Sequence, residues 1–148
     1  LFKTQTAHDL FSEIQSAYME YHHNPSSRLI LFLLFALNHL REWLAECSYE
    51  TMKKKCKNKT ALTPAEKFYC DIYDLKEFQI VNELCNRSKH FEIKKSITTS
   101  VTEGFTVCSP VSDSFGQTYF RVDGVDSREI FFPIIQEYRK WFEANPNL

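Results

Sequence analysis

The sequence predicts an α+β fold: a helical bundle of four to five helices, a small appended antiparallel sheet, and a closing C-terminal helix. Three observations predict it. Apolar residues in the first half recur at helical spacing. From Phe91 the texture changes to β-branched residues, Ser and Thr with local alternation. The last stretch returns to a helical stripe. Helices followed by strands read as α+β rather than α/β. The expected division of the single domain 1–148 is a bundle over 1–90, strands over 91–132 and a helix over 133–148.

The first helix spans about Ala7 to His22, with Leu10, Phe11, Ile14, Tyr18 and Tyr21 on one stripe. Thr6 and Asp9 form its N-terminal cap, the acid favoured by the helix dipole. Pro25 breaks the chain, so the next helix, Arg28 to Cys47, returns antiparallel. Its first half is apolar all round, the mark of a central helix. Its second half turns Leu40, Trp43 and Leu44 inward and Asn38, Arg41, Glu42 and Glu46 outward. The apolar run Leu29–Leu37 is far shorter than the roughly 20 residues that cross a bilayer core, so no membrane partner is expected.

Residues 51–59 carry five lysines and no acid, and read as a solvated connection or frayed helix end. Thr63, Pro64 and Glu66 are a capping box with proline at the first helical position. Asp74 with Glu77 resembles a second box, so a break is expected near Asp74. Leu75 to about Lys89 is the next helix. Asp123-Gly124 is the residue pair of a type I′ hairpin. Its return strand is expected over about Asp126 to Phe131, with Pro133 opening the last helix.

A formal net charge of −1 gives no general electrostatic case for nucleic acid or anionic lipid. Three glycines leave little material for a phosphate-binding loop or a nucleophile elbow. The five cysteines are odd in number and widely spaced, which fits free, mostly buried thiols in a reducing cytoplasm. Glu20 with His23 and His39 with Glu42 suggest a two-metal carboxylate site, but the hairpin places Glu20 and His39 about 13 Å apart along the helix axes. No metal and no cofactor are expected. Lys53, Lys54 and Lys55 are candidates for contact with an RNA backbone, with a solvated run as the simpler reading.

One motif stands where helix gives way to sheet: Asn86-Arg87-Ser88-Lys89-His90. Arg87 could steady a phosphate and His90 move a proton, a minimal kit for cleaving RNA through its own 2′-hydroxyl. Asn86 and Lys89 would be accessory binding residues. The competing reading is C-terminal capping, since cations in a last turn oppose the helix dipole.

The helical hairpin, the capped third helix and the Asn-Arg-Ser-Lys-His ending together resemble prokaryotic helical domains of the HEPN type, over about residues 7–91. The resemblance implies one of two roles. Many members are metal-independent RNases of toxin–antitoxin and phage-defence systems, which dimerise so that two motifs share a cleft. Others are non-catalytic binding modules. The family RNases set arginine further ahead of the histidine than Arg87 is from His90, and Asn82 to Leu84, where that arginine would fall, hold none. The sequence therefore favours a non-enzymatic interaction module of bacterial or phage type, homodimeric or with a protein partner. An endoribonuclease using Arg87 and His90 is the alternative.

Overall fold

The structure is a computed structural model and describes residues 4–58, 61–89, 97–104, 111, 113 and 116–146, without the side chain of Lys89. The fold is α+β, as the sequence predicts. Its helices are α1 (Ala7–His23), α2 (Ser27–Ala45), α3 (Tyr49–Asn58), α4 (Pro64–Asp71), α5 (Lys76–Lys89) and α6 (Ser127–Ala144). A 3₁₀ turn, Ile72–Asp74, joins α4 to α5 and is the break expected near Asp74. Strands β1 (Thr99–Glu103), β2 (Thr118–Val122) and β3 (Val125–Asp126) form an antiparallel sheet in the order β1-β2-β3.

The local signals that worked are those with direct chemistry. Thr6 accepts from the Asp9 backbone N–H at 3.0 Å, and the Asp9 carboxylate accepts from Thr6 N–H at 3.0 Å. Thr63 and Glu66 repeat the arrangement at 3.2 and 3.0 Å. Each box satisfies amides that the first helical turn leaves without partners. At the hairpin, Asp123 and Gly124 have φ of 50° and 82°. Positive φ at both central residues is what a type I′ turn demands.

Helix α2 is the hub. Leu33, Leu37 and Leu40 have no exposed surface, and α6 lays Ile134, Ile135 and Tyr138 into the same core. The buried Tyr138 hydroxyl donates to the Leu37 carbonyl at 2.9 Å, so the ring packs without stranding a polar group. Trp43 is only half-buried, against expectation, because it lies to one side of the Leu33–Leu37–Leu40–Leu44 stripe.

Three expectations are corrected. The lysine-rich stretch is not a connection but helix α3. Its inward side is the fully buried Met52 with the half-buried Lys55 and Cys56, at i, i+3 and i+4. Lysine is a good helix former, and its abundance hid the short stripe. The return strand is only Val125–Asp126, and the last helix begins at Ser127, so Pro133 lies inside it. Asp126 caps that helix through the Arg128 amide at 2.9 Å. The inward positions Ile130, Phe131, Ile134 and Ile135 keep helical period through the proline. Pro133 removes the amide partner of the Glu129 carbonyl, which is tolerable because Glu129 and Phe132 are exposed.

The third correction concerns the thiols. Cys56 of α3 and Cys70 of α4 form a disulfide with Cα atoms 6.2 Å apart. Cys47 and Cys85 remain thiols. Pairing across two helices follows from tertiary placement, which has no fixed sequence spacing. Cys108 lies outside the described residues, as do Phe91 and the stretches 92–96 and 105–110 of the expected strand region.

Candidate functional site

The Arg-Ser-Lys-His motif falls at the end of α5. Asn86 is exposed, and its side-chain amide donates to the Asn82 carbonyl oxygen at 3.3 Å. Arg87 is half-buried, and its Nη1 donates to the Ile97 carbonyl at 2.7 Å. That bond ties the end of α5 to the chain entering β1. His90 and the Lys89 side chain lie outside the described residues. Arg87 also lines a groove of about 420 Å³ between α2, α5 and the sheet, whose walls include Ile30, Leu34, Leu84, Val101, Phe120 and Arg121.

The sheet beside this groove is unevenly covered. In β2, Tyr119 and Val122 are buried. In β1 all five residues are exposed, Val101 at 59%. Val101 stands opposite Phe120 in the ladder, with Thr99 opposite Val122 and Glu103 opposite Thr118.

The lysines divide. Lys53 and Lys54 are exposed on α3. Lys55 is ion-paired to Glu66 of α4. The Glu66 bond raises the Lys55 pKa, and the Lys55 bond, with the Thr63 amide, holds the Glu66 carboxyl below its ordinary value. Lys55 therefore joins helices. Among the described histidines, His22 and His23 meet edge-on with ring centroids 5.6 Å apart, His8 meets Phe142 edge-on at 5.6 Å, and His39 Nδ1 lies 3.3 Å from Glu42. No three His, Cys, Asp or Glu side chains are placed to share a metal ion among the described residues.

Two buried arginines escaped the sequence reading. Arg128, at the start of α6, is 5% exposed. Its Nη1 and Nη2 bond Asp113 at 3.1 and 2.9 Å. Nε and Nη2 bond Asp126 at 3.1 and 2.7 Å, and Nη1 also reaches the His22 carbonyl at 3.2 Å. Tyr119 donates to Asp113 at 2.9 Å. Burial opposes the Arg128 charge, but its two carboxylate partners outweigh that and raise its pKa. The Arg128 bond correspondingly holds the Asp113 carboxyl below its ordinary value. The donors and acceptors of this cluster are spent on one another. It clasps the end of α1, the start of α6 and the chain at Asp113.

Arg41 differs. The sequence reading turned Asn38 and Arg41 outward on polarity, yet they are 4% and 3% exposed. Asn38 is satisfied by Asn82 of α5, whose amide donates to its oxygen at 2.7 Å. The Arg41 guanidinium lies over the rings of Tyr69, Phe78 and Tyr73, at 4.3, 4.7 and 5.8 Å from their centroids. Neither its Nε nor the buried Tyr69 hydroxyl has a hydrogen-bond partner among the described residues. Helical period could have placed Arg41 inward, since it falls one turn beyond the buried Leu37 and two turns beyond the buried Leu34. No protein family, curated protein or solved structure matches the chain.

Proposed function

We propose that this chain is a non-enzymatic interaction module of bacterial or phage type that works as a homodimer joined through β1. The observation that supports this reading is the exposure of β1 along its whole length. Sheet edges are usually blunted by lysine, proline or a bulge. Thr99-Ser100-Val101-Thr102-Glu103 has neither lysine nor proline, and two threonines and a valine favour an extended chain. Antiparallel pairing about a two-fold axis at Val101 sets Val101 against itself, Ser100 against the partner's Thr102, and Thr99 against the partner's Glu103. No like charges oppose one another in that register. The contact is self-complementary, as a two-fold interface requires.

The resemblance to HEPN domains, whose RNases dimerise, agrees with a homodimer but ends at about residue 91, ahead of β1. Arg87 supports it too: its bond to the Ile97 carbonyl holds the approach to β1. The Cys56–Cys70 disulfide favours an oxidising compartment over the cytoplasm that the odd cysteine count suggested. The dimer needs neither.

Light scattering of the eluting protein tests the proposal. The expected result is a dimer for the wild type and a folded monomer for Val101→Lys. A wild-type monomer at tens of micromolar, or a dimer that Val101→Lys leaves intact, overturns it. RNA cleavage by the wild type that is lost in both Arg87→Ala and His90→Ala, with folding retained, would replace it with the RNase reading.

A further inference from the structure

The surroundings of Arg41 form a pocket of about 250 Å³. Arg41 and Tyr69 make its buried floor, at 3% and 4% exposure. Tyr49 and Tyr73 are exposed at its rim, at 47% and 46%. Lys53 is the second cation, with its Nζ 5.7 Å from the Tyr49 ring centroid. The remaining wall is Asn82 and the Cys56–Cys70 disulfide, which fixes the helix bearing Tyr49 and Lys53 to the helix bearing Tyr69. Among the described residues, no carboxylate lines the cavity.

A buried guanidinium ordinarily has a carboxylate or carbonyl partner, because losing water without replacement hydrogen bonds is costly. Aromatic faces offset part of that cost by attracting the positive charge. They accept N–H groups only weakly. Arg41 Nε–H and the Tyr69 hydroxyl thus remain as two buried polar groups, carried by residues that line one cavity. We propose that this pocket binds the phosphate group of a small ligand. Arg41 binds the oxyanion from the floor, the Tyr69 hydroxyl donates to it, and Lys53 closes over it from the rim. Two cations without a carboxylate match the two negative charges of a phosphate monoester better than the single charge of a carboxylate. The Tyr49 and Tyr73 rings flank the mouth, so a planar group carried by the phosphate has aromatic surface to stack on.

The site is independent of the β1 dimer, and its test uses the whole chain. Calorimetric titration with inorganic phosphate, phenyl phosphate and acetate is run at constant ionic strength in chloride. Saturable phosphate binding in the millimolar range is expected, with phenyl phosphate up to about tenfold tighter and acetate weaker than either. Lys53→Gln changes an exposed side chain, and Tyr69→Phe removes only the unpartnered hydroxyl. Each is expected to weaken phosphate binding by roughly fivefold or more, and Arg41→Met to abolish it. Absence of saturable phosphate binding by the wild type overturns the proposal. So does unchanged affinity in both Lys53→Gln and Tyr69→Phe, or acetate binding as tight as phosphate.

Discussion

Around Arg128 every guanidinium nitrogen meets an oxygen, while around Arg41 the guanidinium meets aromatic faces and its Nε has no acceptor among the described residues. Both side chains are almost wholly buried. The difference lies in which of the protein's own groups balance them. Arg128 brings three separated pieces of chain together, and each bond closes a contact that the fold needs. Arg41 closes nothing of that kind. Its place is beside an open pocket whose other cation, Lys53, is at the surface. A buried charge with a full set of partners is a clasp, and one without them is a site.

The largest expected effect lies on the clasp. Arg128→Met leaves the Asp113 and Asp126 carboxylates together without their cation. Removing one partner of a buried ion pair costs about 3–5 kcal/mol, read as a shift of the urea unfolding midpoint. A loss under about 1 kcal/mol, the range of surface pairs, would dissolve the contrast.

Next comes the disulfide, which belongs to the Arg41 side. Opening the Cys56–Cys70 link, 14 residues apart, by Cys→Ser at both positions is expected to cost about 3 kcal/mol. Hydrogen exchange should show the loosening in α3 and α4 and leave α1, α2 and α6 protected. Even loosening across all helices would show that the pocket wall and the hub are one cooperative unit.

A smaller effect is acid sensitivity. The Arg128 bond holds the Asp113 carboxyl below its ordinary value of 3.8. Its contribution is therefore complete above the unfolded-state pKa and is lost as pH falls through the lowered folded-state value. Asp113→Asn should flatten the fall in stability between about pH 4 and pH 2, as read from urea curves at successive pH. An unchanged slope would remove Asp113 from the clasp.

The sequence made legible what local chemistry decides. Thr6 with Asp9, Thr63 with Glu66, and Asp123-Gly124 each carry their own geometry, so both helix starts and the hairpin could be placed without tertiary knowledge. The hub helix was legible from its apolar run, although Leu31 and Phe32 of that run are exposed at 44% and 39%. The rest depended on context. Helix α3 was hidden because Met52 and Cys56 are few among many lysines. The start of α6 was missed because Pro133 normally opens a helix, whereas here the Asp126 cap and an apolar stripe on both sides of it outweigh one missing amide. Arg41 and Arg128 were invisible as buried groups because polarity places a charge outward until the positions of its neighbours are known. Of the motif at the end of α5, Arg87 was found in a structural bond, and His90 is outside the described residues.

The most direct measurement is urea unfolding of Arg41→Met beside Arg128→Met in a phosphate-free buffer. Methionine keeps the contact with the Tyr69 and Phe78 rings and removes a buried donor that has no acceptor. Arg41→Met is therefore expected to cost under about 1 kcal/mol or to stabilise the chain, while Arg128→Met loses about 3–5 kcal/mol. Equal losses in the two variants would contradict the distinction between clasp and site.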